Sequence, residues 1–262
     1  MLLIFQLSKK MILSASLIFL TTNAFIPIVY AQKAVILNFD DDWIGQYNYV
    51  LPILQKYGFN ATFYITCGCL TYQNSKFCNN AGGDSAMSWQ NVAELAKLGY
   101  DIQSHGMSHK DLTKLSIKDL EYEVGQSKQC LLEHNINSTV FGNPFARGWD
   151  NSTVIQTLSK YYDMARGGYG LLTFLDCYPI DLNQTDCRTY FDNGTSTLTN
   201  RYSLRLASHN DLDSTYMHNS TKILPAFIEA VNKQTLYNDN GEINAIPIVV
   251  YHNIDYIKKI TA

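Results

Sequence analysis

An apolar run that ends in three acids occupies residues 34–43 and reads AVILNFDDDW. The β-branched residues before the acids predict a short strand buried on both faces, as in parallel sheets covered by helices. Asp40, Asp41 and Asp42 begin where this strand is expected to end. Because the carboxyl ends of such strands form the active sites of α/β folds, the acids predict a functional edge.

Two further apolar runs end in histidines. His105 and His109 follow the strand-like start of YDIQSHGMSHKDL at residues 100–112, and His252 follows IPIVVY at residues 246–251. Two imidazoles at this spacing can face one ion from a single turn of chain. With one carboxylate they make a facial set that leaves positions open for water and substrate, which is typical of a catalytic metal site.

Each cluster also has a plainer interpretation. An Asp at a strand end often caps the next helix, and a buried His is often a hydrogen-bonded core residue. All three clusters, however, fall at the ends of predicted strands. Their joint occurrence favours a metal-dependent hydrolase over a purely structural protein, which would not need polar strand ends at one mouth of the fold.

Strand-like and helix-like patterns alternate along the chain, which predicts an α/β fold with a parallel sheet or barrel and helical crossovers. The number of strand candidates favours a distorted (β/α)7 barrel. A polar stretch at residues 168–200 predicts a long ordered loop or a pair of short strands over one mouth of the barrel. Strands are expected near residues 34–39, 61–66, 99–103, 139–142, 162–166, 202–207 and 246–251, and helices near 44–57, 88–98, 116–134, 151–160 and 221–235.

The start of the chain predicts a secretion signal. Two lysines precede an apolar stretch at residues 11–30, and Val29 and Ala31 occupy the two positions that a signal peptidase reads. An uncleaved membrane anchor is the alternative, because the stretch approaches but scarcely reaches the roughly 20 apolar residues of a span. We expect residues 1–31 to be removed and residues 32–262 to form one catalytic domain, secreted or displayed at the cell surface.

The composition limits the classes of partner that we expect the protein to bind. The formal net charge is −3 and no Lys/Arg-dense run occurs, so nucleic acid and anionic membrane surfaces are not expected as partners. A neutral substrate fits better, and the chain has 18 Tyr, 12 Phe and 3 Trp, more rings than a core of this size needs. Exposed rings commonly stack on sugars, although aromatic residues are more often core. We expect a monomer with no stable membrane partner once the signal is removed.

Six cysteines in an exported chain predict disulfides, with the pairing open. A zinc site on Cys67-Gly68-Cys69 with Cys78 is the alternative, but it matches no structural zinc spacing. We expect Cys177 to pair with Cys187, because these two cysteines flank a polar loop. Cys67, Cys69, Cys78 and Cys130 would then form the other bridges.

Six Asn-x-Ser/Thr sequons indicate a glycosylated surface protein, although chance supplies some in a chain rich in these residues. They begin at Asn60, Asn137, Asn151, Asn183, Asn193 and Asn219.

The residues resemble the polysaccharide deacetylase family, carbohydrate esterases that remove N- or O-acetyl groups from glycans. The resemblance runs from about Lys33 to His252. The segments that carry it are Phe39-Asp40-Asp41-Asp42, similar to the family's aromatic-Asp-Asp motif, and Ser104-His105-Gly106-Met107-Ser108-His109, similar to its metal motif. Further similar segments are Gly58-Phe59-Asn60-Ala61-Thr62-Phe63-Tyr64, Phe141-Gly142-Asn143-Pro144-Phe145 and Val250-Tyr251-His252.

The resemblance implies that Asp41, His105 and His109 hold a divalent metal, usually Zn2+, whose bound water is the nucleophile. A metal lowers the pKa of its water from about 16 toward 7 and also polarises the acetyl carbonyl. The resemblance further implies that Asp40 is the general base and that His252 is the general acid.

The resemblance also implies a substrate groove and a partner. Pro144 and Phe145 belong to the groove segment, and the Phe145 backbone N–H is implied as an oxyanion donor. The implied partner is an acetylated glycan or polysaccharide.

Several positions depart from the family pattern. Asp42 stands where Gly is usual, and we expect it to cap the following helix rather than to add a ligand. Gly142 stands where many members carry an Arg that pairs with the base, so the pKa of Asp40 could be less depressed. Arg166 ends the next strand in YYDMARGG and could approach the site instead. His209 follows a later strand and is expected either to cap a loop or to contact substrate.

Two rival functions stay open. A glycan-binding protein on the same fold that has lost turnover is conceivable because of Gly142, and it predicts binding without acetate release. A deformylase-like or amidase-like hydrolase is conceivable because the same metal chemistry attacks any linear amide, and it predicts activity on small soluble amides alone.

Overall fold

The computed structural model describes residues 33–72, 86–174, 201–208, 220–238 and 241–252. The predicted signal, the expected Cys177 and Cys187 pair and His209 therefore lie outside the described residues. Among the described residues, no helix is long and apolar enough to cross a membrane.

Parallel strands close into a seven-stranded barrel, which confirms the predicted fold. They follow one another round the barrel in chain order, and the last pairs with the first. The described strands are β1 (Ile36–Asp40), β2 (Thr62–Ile65), β3 (Asp101–Ser104), β4 (Val140–Gly142), β5 (Met164–Tyr169), β6 (Thr173–Phe174), β7 (Leu204–Ser208), β8 (Ala245–Ile246) and β9 (Ile248–Tyr251). All but β6 and β8 belong to the barrel.

Helices cover the barrel in the five predicted regions, and α2 is an additional helix that the sequence analysis did not predict. Several begin at polar caps: Ser88 and Asn91 form a capping box, and Ser116 and Asn151 cap the helices that follow them. The α-helices are α1 (Leu51–Tyr57), α2 (Cys67–Tyr72), α3 (Trp89–Lys97), α4 (Ile117–Glu121), α5 (Ser127–Glu133), α6 (Ser152–Leu158) and α7 (Ser220–Lys233).

Two of the predicted helices contain a π-helical turn. Gln46–Val50 precedes α1, and Tyr122–Gln126 lies between α4 and α5. A π turn shifts the side chains that follow it around the helix axis, and such turns are frequent at functional sites. These two turns carry Gln46 and Glu123, both of which are buried against the site end of the barrel.

An apolar cluster fixes the first strands of the barrel. The Phe39 ring stacks on Phe63 of β2 with centroids 5.2 Å apart, and on Tyr251 of β9 with centroids 5.5 Å apart. Phe63 and Ile65 are fully buried. Because Phe39 directly precedes the acids, this packing holds the end of β1 between its two neighbours.

The stretch predicted at residues 168–200 is described only as far as residue 174. Its described part contains one short strand, β6, which pairs antiparallel with β8. β8 immediately precedes the closing strand β9. Residues 175–200 lie outside the described part of the chain.

A disulfide joins Cys67 in α2 to Cys130 in α5, as the even cysteine count led us to expect. Cys69 is also disulfide-bonded. The alternative of a zinc site on Cys67-Gly68-Cys69 is therefore wrong, because a sulfur in a disulfide is no longer a thiolate ligand.

Candidate active site

The carboxyl ends of the barrel strands surround a cavity of about 220 Å³. All five residues predicted to hold metal or move protons line it, together with the predicted Phe145 and Arg166; Pro144, by contrast, is buried and does not line the cavity. The lining comprises Asp40, Asp41, His105, His109, Asn143, Phe145, Ala146, Arg166, Tyr169, Leu206, Ser208, Val250 and His252.

Asp41, His105 and His109 converge on one point of this cavity. Asp41 Oδ1 lies 3.3 Å from His105 Nε2 and 3.1 Å from His109 Nε2. The ligand-type atoms of the three buried side chains all lie within 4.8 Å of one another. The structure thus brings together the three residues that the sequence proposed as a ligand set.

The hydrogen bonding of this cluster fits a cation. His105 Nδ1 lies 2.7 Å from the Gly142 carbonyl oxygen, which can only accept, so Nδ1 carries the proton and Nε2 presents a lone pair. In the neutral imidazole that lone pair faces Asp41 Oδ1, a buried atom that has no hydrogen-bond partner among the described residues other than the two imidazoles. Two electron-rich atoms repel in a buried site, and a divalent ion between them turns the repulsion into ligation. The donor set therefore fits a metal with two imidazole ligands and one carboxylate ligand.

Strained backbone separates the three consecutive acids. Asp41 and Asp42 have φ angles of 71° and 58°, and His109 has a φ of 52°. These left-handed conformations are rare for residues with a β-carbon and cost roughly 1–3 kcal/mol each. The turn sends the carboxylates in different directions. Asp41 lies between the two imidazoles, whereas one oxygen of Asp40 lies against Arg166 and the other lies 3.7 Å from His105 Nε2.

Asp40 directs its carboxylate toward Arg166. Oδ1 forms a buried ion pair with Arg166 Nη2, and Oδ2 lies 3.7 Å from His105 Nε2. Burial alone would raise the pKa of the Asp40 carboxyl, but the electrostatic interactions with Arg166 first, and then with His105 and His252, outweigh burial and hold the pKa below its usual range. Asp40 is therefore ionised at neutral pH and can accept a proton.

Arg166 approaches Asp40 as its strand-end position suggested, and it is held on several sides. Its guanidinium carbon lies 3.9 Å from the centroid of the Tyr64 ring, and Nε lies 3.1 Å from the Asn38 side-chain oxygen when that amide is oriented to accept. The whole side chain is buried. Arg166 lies against the Asp40 carboxylate and also lines the cavity, so its predicted contact with substrate stays a prediction.

The glycine at position 142 makes room for the Arg166 side chain. A Cβ added at Gly142 would lie 2.9 Å from Arg166 Nη2, 2.8 Å from Tyr64 Cδ1 and 3.0 Å from His105 Nδ1. Real Cβ atoms do not approach so closely. The absence of a side chain on β4 therefore leaves the space in which the guanidinium from β5 reaches Asp40.

His252 lies just beyond β9 and lines the cavity across from the metal cluster. Gln46 connects it to the acids, because Gln46 Nε2 donates to the Asp40 carbonyl oxygen at 2.6 Å and to the His252 carbonyl oxygen at 3.0 Å. Gln46 is fully buried. One side chain thus ties together the strand ends that carry the proposed base and the proposed acid.

Asp42 does not cap the helix that follows, so that expectation is wrong. Its carboxylate accepts the Thr66 backbone N–H, at 2.8 Å to Oδ1 and 3.1 Å to Oδ2, and joins the ends of β1 and β2. The left-handed turn at Asp42 aims the side chain inward, and the side chain is fully buried. Burial raises the pKa of this carboxyl to about 8. It does not belong to the ligand cluster.

Glu123 is a site residue that the sequence analysis missed. Its buried carboxylate accepts the Met107 and Ser108 backbone N–H groups at 3.1 and 2.9 Å, and the Ser108 hydroxyl bonds to the other oxygen. These groups belong to the loop that joins His105 to His109. The face of the helix on which Glu123 lies depends on the π turn. Because a sequence pattern does not show such a turn, the sequence could not have revealed this role.

The fold and the cavity define the class of protein: an α/β barrel with a buried Asp-His-His cluster at the carboxyl ends of its strands. The chain belongs to the polysaccharide deacetylase family, whose model matches residues 29–162. The matched residues include the metal cluster and Asp40, and they end before Arg166 and His252.

The chain is also similar to individual relatives. YxkH of Bacillus subtilis (strain 168), named as a polysaccharide deacetylase, is 26% identical over 99 residues, which cover 38% of this chain and 32% of YxkH. The chain thus spans about a third of this curated relative.

Solved structures share parts of the fold. Streptococcus pyogenes deacetylase PplD, solved in complex with acetate, is 27% identical with a TM-score of 0.47, over 63% of this chain and 66% of PplD. A mutant of BA3943 from Bacillus anthracis, a CE4 family pseudoenzyme with restored enzymatic activity, is 14% identical with a TM-score of 0.51, over 86% of this chain and 58% of that one. The second likeness supports the fold.

Proposed function

We propose that this protein is a metal-dependent deacetylase that hydrolyses acetyl groups of a glycan. The observation that carries the proposal is the meeting of an Asp-His-His cluster, a buried ionised carboxylate and a histidine in one cavity. Membership of the polysaccharide deacetylase family supports it. The reaction adds water to the acetyl carbonyl carbon, breaks the bond from that carbon to nitrogen or oxygen, and releases acetate.

The metal site uses Asp41, His105 and His109. A divalent ion, proposed to be Zn2+, supplies Lewis acidity toward water and toward the acetyl carbonyl when it is bound. His105 contributes Nε2 because the Gly142 carbonyl oxygen holds its proton on Nδ1. Glu123 holds the loop between the two histidines, so that both imidazoles keep their direction.

Asp40 is proposed as the general base. Its Oδ1 is occupied by Arg166, which leaves Oδ2, the oxygen 3.7 Å from His105 Nε2, to take a proton from the attacking water. The ion pair keeps this carboxylate ionised, and it also limits its basicity. A buried, fixed base of this kind contributes by position rather than by strength.

His252 is proposed as the general acid. It lines the same cavity as Asp40, and its interaction with Asp40 lowers the pKa of that carboxyl, which supports the assignment. A protonated His252 can give its proton to the leaving nitrogen or oxygen. The Gln46 hydrogen bonds to both strand ends fix the separation of acid and base.

The segment after β4 is proposed to hold the acetyl group. Phe145 has a left-handed φ of 59°, and its ring packs against His109 with centroids 4.6 Å apart. Strained backbone of this kind concentrates at functional loops. We assign the Phe145 backbone N–H as the oxyanion donor, in keeping with its place in the family motif.

The partner and the location follow from the same proposal. Phe145 and Tyr169 line the cavity and are 37% and 55% exposed, so both rings can contact a sugar. We propose an acetylated glycan outside the cell as substrate, with residues 1–31 as the signal. Glycosylation of the sequons remains a prediction; Asn60 is exposed, and Asn151 caps α6 with its side chain.

The experiment that tests this function measures acetate released from acetylated chito-oligosaccharides. The protein is stripped of metal, assayed, reloaded with zinc and assayed again, beside an Asp40→Asn variant. Release that needs both zinc and Asp40 is the expected result. Binding of zinc and oligosaccharide without acetate release would overturn the proposal in favour of a binding protein.

The binding-only rival depended on the missing Arg at Gly142. Arg166 lies against Asp40 and provides a cation from β5. This geometry supports an enzyme over a protein that has lost turnover.

A further inference from the structure

The histidine loop, residues 105–109, carries two of the three proposed metal ligands, and α2 holds its carbonyl groups. The Cys67 backbone N–H donates to the Gly106 carbonyl oxygen at 3.0 Å, and the Gly68 N–H donates to the Met107 carbonyl oxygen at 2.9 Å. These donors are among the first N–H groups of a helix, which find no partner within the helix itself. The start of α2 therefore fixes the backbone of the histidine loop.

A second helical segment holds the N–H groups of the same loop. Glu123, in the π turn Tyr122–Gln126, accepts the backbone N–H of Met107 at 3.1 Å and that of Ser108 at 2.9 Å. α5 continues directly from this turn and carries Cys130 about two turns beyond Glu123. The histidine loop is thus held between α2 on one side and the segment that leads into α5 on the other.

The Cys67–Cys130 disulfide joins these two holding elements. Both cysteines are buried, and they lie 63 positions apart in the sequence. Thr71 strengthens the junction, because its hydroxyl donates to the Cys67 carbonyl oxygen at 2.9 Å and lies 3.8 Å from Cys130 Sγ. One covalent bond therefore fixes the separation of the two elements that hold the histidine loop.

The histidine loop needs such support because its backbone is strained. His109, the last residue of the loop, has a left-handed φ of 52°. A residue with a β-carbon keeps this conformation only where the surrounding structure enforces it. Ligands that are held in place before the ion arrives lose little freedom on binding it, so support of the loop raises the affinity for metal.

We propose that the Cys67–Cys130 disulfide is a positioning clamp for the histidine loop, so that the affinity of the site for its metal depends on the redox state of this bond. The disulfide acts through α2 and Glu123 rather than by ligating the ion, because its sulfurs are bonded to each other. The proposal rests on the metal site of the proposed deacetylase.

The first test compares the zinc dissociation constants of the metal-stripped wild-type chain and of the double variant Cys67→Ala with Cys130→Ala. Alanine leaves no thiol at either position that could bind zinc. We expect the dissociation constant to rise about tenfold or more in the double variant, as it does when groups that orient metal ligands are lost. An equal dissociation constant in the two chains would overturn the proposal.

A control variant separates positioning of the loop from general stability. Phe174→Ala removes a buried ring that packs edge-on against Tyr237 in the two-stranded sheet of β6 and β8. We expect both this variant and the double cysteine variant to melt at a lower temperature than the wild-type chain. Only the double cysteine variant should bind zinc more weakly, and an equal loss of zinc affinity in Phe174→Ala would contradict the proposal.

The second test needs neither metal nor a folded variant. Hydrogen exchange of the Met107 and Ser108 amides is followed in the metal-stripped wild-type chain before and after reduction by a water-soluble trialkylphosphine. The phosphine breaks the S–S bond and becomes its oxide with the oxygen of one water, whose two hydrogens complete the two thiols. We expect these amides to exchange about tenfold faster after reduction, while the Ala165 amide of β5 keeps its rate.

The phosphine also reduces the disulfide of Cys69, so the double cysteine variant receives the same treatment. The wild-type response should exceed the response of that variant, because only the wild-type chain has the Cys67–Cys130 bond to lose. Exchange of Met107 and Ser108 that reduction leaves unchanged in the wild-type chain would overturn the proposal.

The two tests do not use acetate release, so the clamp and the deacetylase function can fail separately. Zinc affinity that falls with loss of the disulfide supports the clamp even if the wild-type chain releases no acetate. Zinc-dependent acetate release together with a zinc affinity that is insensitive to the disulfide overturns the clamp and leaves the deacetylase function intact.

Discussion

The two halves of the barrel supply different parts of the site. The half from β1 to β4 supplies the Asp-His-His cluster, which Glu123, the Asp42 bond to Thr66 and the Gly142 carbonyl oxygen hold in place. The half from β5 to β9 supplies Arg166 and His252, both of which lower the pKa of the Asp40 carboxyl.

This difference between the two halves follows the extent of the match to the family model. The family model matches residues 29–162 and so covers the metal half. In that half, the motif residues Asp41, His105 and His109 lie together as the sequence predicted. This chain has Gly142 where many family members carry an Arg. In the second half, Arg166 on the neighbouring strand β5 places its cation against Asp40 instead.

Loss of a proposed metal ligand, in the half from β1 to β4, should have the largest effect on activity. We expect His109→Ala to lose metal and to lower kcat/KM for acetate release by about 10⁴-fold, because a bound ion supplies several kcal/mol of transition-state stabilisation. Metal content and activity are measured on the same preparation. His134→Ala, an exposed histidine stacked on Trp89, is the control and should keep both.

Loss of the proposed base, Asp40, should have the next largest effect on activity. It should leave metal binding unchanged and so distinguish the roles of the two halves. We expect Asp40→Asn to lower kcat about 10²- to 10⁴-fold, because a positioned general base contributes about that much. Metal content should stay at the wild-type value, since Asp40 turns away from the cluster toward Arg166. Loss of metal along with activity would show that Asp40 is a ligand and that our division of the acids is wrong.

Loss of the cation in the second half should shift the pH profile. Arg166 lowers the pKa of Asp40, so Arg166→Gln should raise that pKa, and Asp40 should then be protonated at higher pH. The acid limb of kcat/KM against pH is expected to move to higher pH, and the rate at neutral pH should fall about tenfold. Arg147→Gln, which removes an exposed cation paired with Asp111, is the control. A profile that stays in place would contradict the role of Arg166.

Loss of the support in the first half should have the smallest effect on chemistry. Glu123→Gln keeps the size of the side chain but weakens its bonds to the Met107 and Ser108 N–H groups. We expect metal affinity to fall about tenfold and stability to fall by roughly 1–3 kcal/mol. Zinc titration and denaturant unfolding measure these effects, with the exposed Glu133→Gln as the control. Unchanged metal affinity would show that the loop keeps its geometry without Glu123.

Much of the fold and the metal cluster could be predicted from the sequence. Apolar runs marked the barrel strands, and the carboxyl ends of parallel strands must meet at one mouth, so Asp41 and His105 could be placed together before any coordinates. The direction of Asp42 could not be predicted, because it depends on left-handed backbone at Asp41 and Asp42 that no residue pattern announces.

The remaining site residues depend on packing between distant parts of the chain. Gln46 and Glu123 reach the site through π turns, and sequence periodicity predicts ordinary helices there.

The measurement that tests the central claim most directly is a stoichiometric titration. Zinc is added in steps to the metal-stripped full chain while acetate release from a chito-oligosaccharide is recorded. Activity that rises in proportion to zinc and levels off at one ion per chain is the predicted result. Acetate release that is independent of zinc, or zinc that binds with that stoichiometry without producing acetate, would contradict the account.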